Sequence, residues 1–73
     1  MRNYRNLISK LIAYLINTSG LSIETLSILT GIDTDRLEAL RNMNIVPTFD
    51  DMISLQTALE YDDEDISNIL PFI

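Results

Sequence analysis

Cysteine, histidine and tryptophan are all missing from this 73-residue chain, and glycine and proline occur twice each. Without thiol or imidazole there is no disulfide framework, no zinc finger, no Cys or His nucleophile or base, and no Ser-His-Asp arrangement. Carboxylates alone remain for acid-base chemistry. Cations are scarce as well: five Lys and Arg stand against eleven Asp and Glu, for a formal net charge of -6. Apolar side chains, by contrast, make up 47% of the residues and charged ones only 22%. With a mean hydropathy of +0.14, the chain is too apolar to stay unfolded and long enough for one small domain. The longest apolar run, Leu11-Ile12-Ala13-Tyr14-Leu15-Ile16, falls far short of the ~18 residues of a membrane span. It is also too short for the apolar centre of a secretory signal. A cytoplasmic protein with no membrane association is therefore expected.

Apolar spacing predicts helices throughout. Tyr4, Leu7, Ile8, Leu11, Ile12, Leu15 and Ile16 recur at intervals of three and four, which predicts a helix over 3–17 with a broad buried face. Gly20 ends it. Ser22 is placed to cap a second helix carrying Leu26, Ile28 and Leu29, and Gly31 stops that one. A third begins at Asp33 or Thr34, with Leu37 and Leu40 inward, and fades at 42–44. Thr48 caps a fourth, in which Asp50 and Asp51 favour the positive end of the helix dipole and Met52, Ile53, Leu55, Ala58 and Leu59 form the buried side. Asp62 caps a short last helix carrying Ile66, Ile69 and Leu70, closed by Pro71. No segment reads as a strand. The expected architecture is all-α: one compact five-helix bundle over residues 1–73, with a Gly-containing connection of three or four residues between its second and third helices.

Order and spacing then bring out a resemblance. Leu21-Ser22-Ile23-Glu24-Thr25-Leu26-Ser27, followed by Thr30-Gly31-Ile32-Asp33, Leu37, Leu40, Pro47, Leu55-Gln56-Thr57-Ala58-Leu59 and Asp65-Ile66, resembles the phage lambda repressor-like, XRE-type helix-turn-helix family. The likeness covers about 46 residues, Leu21 to Ile66, with its helix-turn-helix unit at about 22–42. It implies a five-helix bundle that binds operator DNA as a dimer with its third helix in the major groove. Three positions depart from the family pattern. Ile23 stands where many members have a Gln that anchors phosphate, and Arg41 and Met43 stand where a Glu and a turn-forming Gly are common. The turn after the third helix is then expected to use Asn42 or Asn44, which tolerate left-handed geometry.

Under this resemblance the DNA-contacting set is Thr34, Asp35, Arg36, Glu38, Ala39 and Arg41. At about 100° per residue, with Leu37 and Leu40 inward, Asp35, Glu38, Ala39 and Asn42 point farthest from the core. Two carboxylates thus occupy the face that would enter the groove, an electrostatic cost against phosphate. Arg36 and Arg41 also have a structural alternative as surface ion-pair partners of Asp33 and Glu38. Charge is segregated along the chain: +3 over residues 1–20 from Arg2, Arg5 and Lys10, -2 over 21–42, and -7 over 43–73. The acidic run Asp62-Asp63-Glu64-Asp65 lacks the EF-hand pattern of spaced ligands, glycine and terminal glutamate, so no metal or other cofactor is expected. Catalysis is not expected either, because exposed acids at helix starts define no cleft.

The apolar chain end offers a self-association surface: Ile66, Ile69, Leu70, Phe72 and Ile73 could cover a partner in a homodimer or fold back onto the core. Two functions remain open. One is a small transcriptional regulator binding double-stranded operator DNA as a dimer. The other is an acidic module of the same fold that docks on a basic protein partner, as an antirepressor or co-regulator, without binding DNA. The sign of the potential over the third helix discriminates them.

Overall fold

The computed structural model describes residues 4–73, with side chains from Asn6 onward. Five α-helices follow one another: α1 (Tyr4–Thr18), α2 (Ile23–Thr30), α3 (Thr34–Arg41), α4 (Phe49–Leu59) and α5 (Asp63–Ile69), with a 3-10 turn over Leu70–Phe72. No strand occurs among the described residues. All five helices stand where the apolar spacing and the capping residues place them.

Local chemistry sets most of the boundaries. Ser22 accepts a hydrogen bond from the Thr25 amide at 3.1 Å and so caps α2. Capping boxes start α4, between Thr48 and Asp51, and α5, between Asp62 and Asp65. In each, two amides that the helix itself leaves unpaired find side-chain acceptors. The chain bends by 113° between α1 and α2. At the α2–α3 connection Gly31 adopts the left-handed conformation with φ 76°, where a side chain would be strained. Ser27 Oγ donates to the Ile32 carbonyl at 2.6 Å and Thr30 Oγ1 accepts from the Ile32 amide at 3.1 Å. These bonds hold Ile32 so that its side chain enters the core.

That core comes from four helices and the connection: Ile12 and Ile16, Ile23 and Leu26, Ile32, Leu37 and Leu40, and Leu55, with Ile8, Ile45, Met52 and Leu59 packed around it. Burying each large aliphatic side chain stabilises the fold by roughly 1.5–3 kcal/mol. α3 packs on α1 and α2, while α4 packs on α2 and α1. α5 buries no residue completely.

The structure corrects four details. Ile28, Leu29 and Ile53, expected to be apolar positions of buried faces, are exposed at 83%, 54% and 45%. A helix as short as α2 needs only Ile23 and Leu26 to fill its place in the core, and Ile28 lies about 200° around the helix from Leu26. The fourth concerns the turn after α3, which does not use Asn42 or Asn44 as its left-handed residue. Met43 takes that conformation, with φ 61°, while the Met43 amide reaches the Leu40 carbonyl and the Asn44 amide reaches Ala39. Those two bonds form a Schellman motif, which requires its left-handed residue at position 43 whatever side chain stands there.

α4 ends in the same way: Glu60 has φ 60°, its amide bonds to Thr57 and the Tyr61 amide bonds to Gln56. Glu60 is exposed, so its left-handed backbone costs energy that side-chain packing does not return. Glu60→Gly should therefore stabilise the fold by about 0.5–1 kcal/mol after the added freedom of glycine in the unfolded chain is counted. Calorimetry should show Tm rising at roughly 4–8 °C per kcal/mol; a fall would contradict the left-handed cap.

Candidate functional site

Leu37 and Leu40 fix the rotation of α3, because both are inserted into the core. Thr34, Asp35 and Glu38 are consequently exposed, while Arg36, Ala39 and Arg41 are half-buried at its flanks. Ala39, expected among the residues farthest from the core, is thus partly covered. The six residues marked out by the family resemblance do share one short helix, but its two arginines are already engaged.

Arg36 bonds across to α4. Its Nε donates to Asp51 Oδ1 at 3.0 Å and its Nη2 donates to Asp51 Oδ2 at 2.7 Å. This bidentate pairing replaces the Arg36–Asp33 pair expected from helix-surface spacing. Asp33 is exposed at the start of α3, where its charge is solvated. Asp51, only 5% exposed, has lost its water and needs a counter-charge. The same carboxylate accepts the Thr48 amide at 2.8 Å through Oδ2, while the Asp51 amide donates back to Thr48 Oγ1 at 3.2 Å. Arg41 pairs with Glu38 within α3, one turn away, as the spacing suggests.

Asp51 is the residue sequence reasoning underrated. The Thr48-x-x-Asp51 spacing is a capping-box signature and would have marked Asp51 as fixed in place. Nothing in that spacing reveals a partner 15 positions earlier on another helix. The Arg36 hydrogen bonds hold the Asp51 carboxyl below its ordinary value of 3.8; burial pushes the other way, and the Thr48 amide and hydroxyl reinforce the lowering. Arg36 is reciprocally raised, chiefly by its bonds to Asp51.

Lys10 is exposed and has no ion pair among the described residues. Arg2 and the Arg5 side chain lie outside those residues. Of the five residues expected at a homodimer interface, Ile66, Ile69, Leu70 and Ile73 are half-buried, while Phe72 is 85% exposed. No group of three or more Asp and Glu among the described residues is arranged to hold a metal ion. No single helix there is long and apolar enough to cross a membrane.

Removing the Asp51 charge leaves Arg36 without its partner. Because the Arg36 side chain is 39% exposed, solvent screens part of that loss, and Asp51→Asn should cost about 1–3 kcal/mol at neutral pH. The folded protein binds the Asp51 proton less readily than the unfolded chain, so this stabilisation is fully present above pH 3.8 and is lost as pH falls below it. Urea denaturation of both proteins should show their difference shrinking through that acid range. A difference that widened there would contradict the lowered value.

Comparison with protein-family models, with curated proteins and with solved structures finds no match to this chain.

Proposed function

We propose that this chain is a non-catalytic interaction module built on a helix-turn-helix scaffold, whose anionic surface around α3 binds a basic partner protein, as an antirepressor or co-regulator would. The scaffold assignment is supported by the helix order, by the three-residue α2–α3 connection with left-handed Gly31, and by Pro47 just ahead of α4. These features accord with the lambda repressor-like resemblance.

The observation that carries the functional part is the fate of the two α3 arginines. Arg36 is matched by Asp51 and Arg41 by Glu38, which leaves Asp33 and Asp35 exposed without a counter-ion among the described residues. DNA affinity grows with the number of phosphates that cations neutralise. Arg36 gives its Nε and Nη2 to the buried Asp51 carboxylate, so its charge is already matched and only its remaining N–H groups are left to offer a phosphate. Operator binding through Thr34, Asp35, Arg36, Glu38, Ala39 and Arg41 would therefore set a helix with no unpaired arginine against a polyanion. A basic protein surface meets the opposite situation: its cations gain from the exposed carboxylates, and complementary charge speeds encounter.

Fluorescence anisotropy separates the two functions. Labelled protein should show no saturable binding to random-sequence duplex DNA even at low ionic strength. It should bind a lysine-rich peptide with an affinity that falls steeply with salt and weakens in Asp33→Asn/Asp35→Asn/Glu38→Gln. Selection of a two-fold symmetric DNA sequence by the unmodified protein would overturn this function in favour of an operator-binding dimer.

A further inference from the structure

Between α1 and the start of α4 lies an open groove of about 340 Å³ lined, among the described residues, by Ile8, Pro47, Thr48, Phe49 and Met52. Four of these five side chains are apolar. Phe49 is 78% exposed at its edge, and Ile53, one turn further along α4, is 45% exposed. Ile53 lies only about 40° round the helix from Phe49, so the two form one apolar stripe next to the hollow. Ile28 and Phe72 are as exposed as Phe49, but neither lines the groove. At Phe49, therefore, a large apolar projection and an apolar hollow lie side by side on one face.

We infer that this face is an interface between two copies of the chain, in which Phe49 of each copy enters the groove of the other across a two-fold axis. Such a contact requires a surface complementary to itself, and a projection beside a hollow meets that requirement. The side chain that the groove needs is already present on the same chain, and the symmetry makes each contact twice. Of the roughly 150–250 Å² that a buried aromatic covers, Phe49 has most still to bury. Two such anchors, with Ile53 beside them, make a small contact of the kind that gives weak, reversible association. Charge permits the approach here. Each copy carries -6, so two copies come together most readily where carboxylates are absent. α1 contributes no acid to its wall, while Asp50 points about 100° round α4 from Phe49 and Asp51 about 200°. A cationic partner finds no row of carboxylates on this face, and DNA would bring no apolar side chain to the groove. The pairing does not rest on the proposed basic partner. It leaves α3 free, because Asp51, which holds Arg36, faces away from Phe49, and Asp33 and Asp35 stay exposed in both copies.

Sedimentation equilibrium of the full chain from about 10 µM to about 1 mM should show reversible dimerisation with a Kd on the order of 100 µM. Phe49→Ser should weaken it by about tenfold or more, whereas Phe72→Ser and Ile28→Ser should each change it less than about twofold. Phe49 is mostly exposed, so the variant should keep its fold, and unchanged circular dichroism and Tm would verify this. In a mixture of isotope-labelled and unlabelled protein, intermolecular nuclear Overhauser effects should connect the Phe49 ring of one copy to the Met52 and Ile8 methyl groups of the other. Added salt should strengthen the dimer, since it screens the repulsion between two copies of like charge.

A monomer at every concentration would overturn the inference. A dimer that Phe49→Ser leaves intact and Phe72→Ser abolishes would overturn it too, and would assign self-association to the Leu70–Phe72 turn. Dimerisation that salt weakens would overturn the apolar basis of the contact in favour of ion pairs. None of these results touches the lysine-rich peptide titration, so the proposed function of α3 stands or falls separately.

Discussion

The carboxylate of Asp51 joins three parts of this small fold. It closes the first turn of α4 by accepting the Thr48 amide, and it receives both faces of the Arg36 fork from α3. A carboxylate so far removed from water is destabilising unless its oxygens are all satisfied, and no buried side-chain polar atom lacks a partner among the described residues. Apolar packing holds α1 to α4 together without direction. The ion pair adds direction, because a planar guanidinium donates to both oxygens of a carboxylate in one orientation only. The start of α4 is thereby held beside α3, and with it the approach of Phe49 and Met52 to Ile8 on α1.

Using Arg36 in this way changes the surface that α3 offers. A helix with two arginines and two acids is balanced in sequence, but once Arg36 pairs with Asp51 on α4 and Arg41 lies along Glu38, Asp33 and Asp35 are left without a counter-ion among the described residues. The electrostatic character of the helix follows from where its cations are spent rather than from how many it has. On this ground the proposed function departs from the DNA binding that the resemblance implies. Fold and site carry separate warrants.

Helix positions were legible from the residues alone because their determinants are local. Ser22, Thr48 and Asp62 cap helices through bonds that span three residues, and Gly31 supplies a left-handed backbone immediately after α2. The inward leucines of α3 follow from the same short-range periodicity. Even the Arg41–Glu38 pair lies within one turn of helix. Where local chemistry pointed the wrong way, as at Asn42 and Asn44, the hydrogen-bond geometry of the turn outweighed residue preference and placed Met43 in the left-handed region.

What only the tertiary structure decided is which faces find partners. Ile28 and Ile53 sit at apolar positions yet face solvent, because four helices already fill the core and a short helix contributes only the residues that point into it. Asp51 looks like an ordinary first-turn acid until α3 is laid beside it, and Arg36 looks free until Asp51 is buried. The groove beside Phe49 likewise joins residue 8 to residues 47–52, segments with no relation along the chain. Helix order, caps and net charge are properties of near neighbours or of composition, so the sequence determines them directly. Ion pairing between helices, the sign of the charge over α3 and the shape of the groove depend on long-range packing, and they exist only once the chain has folded.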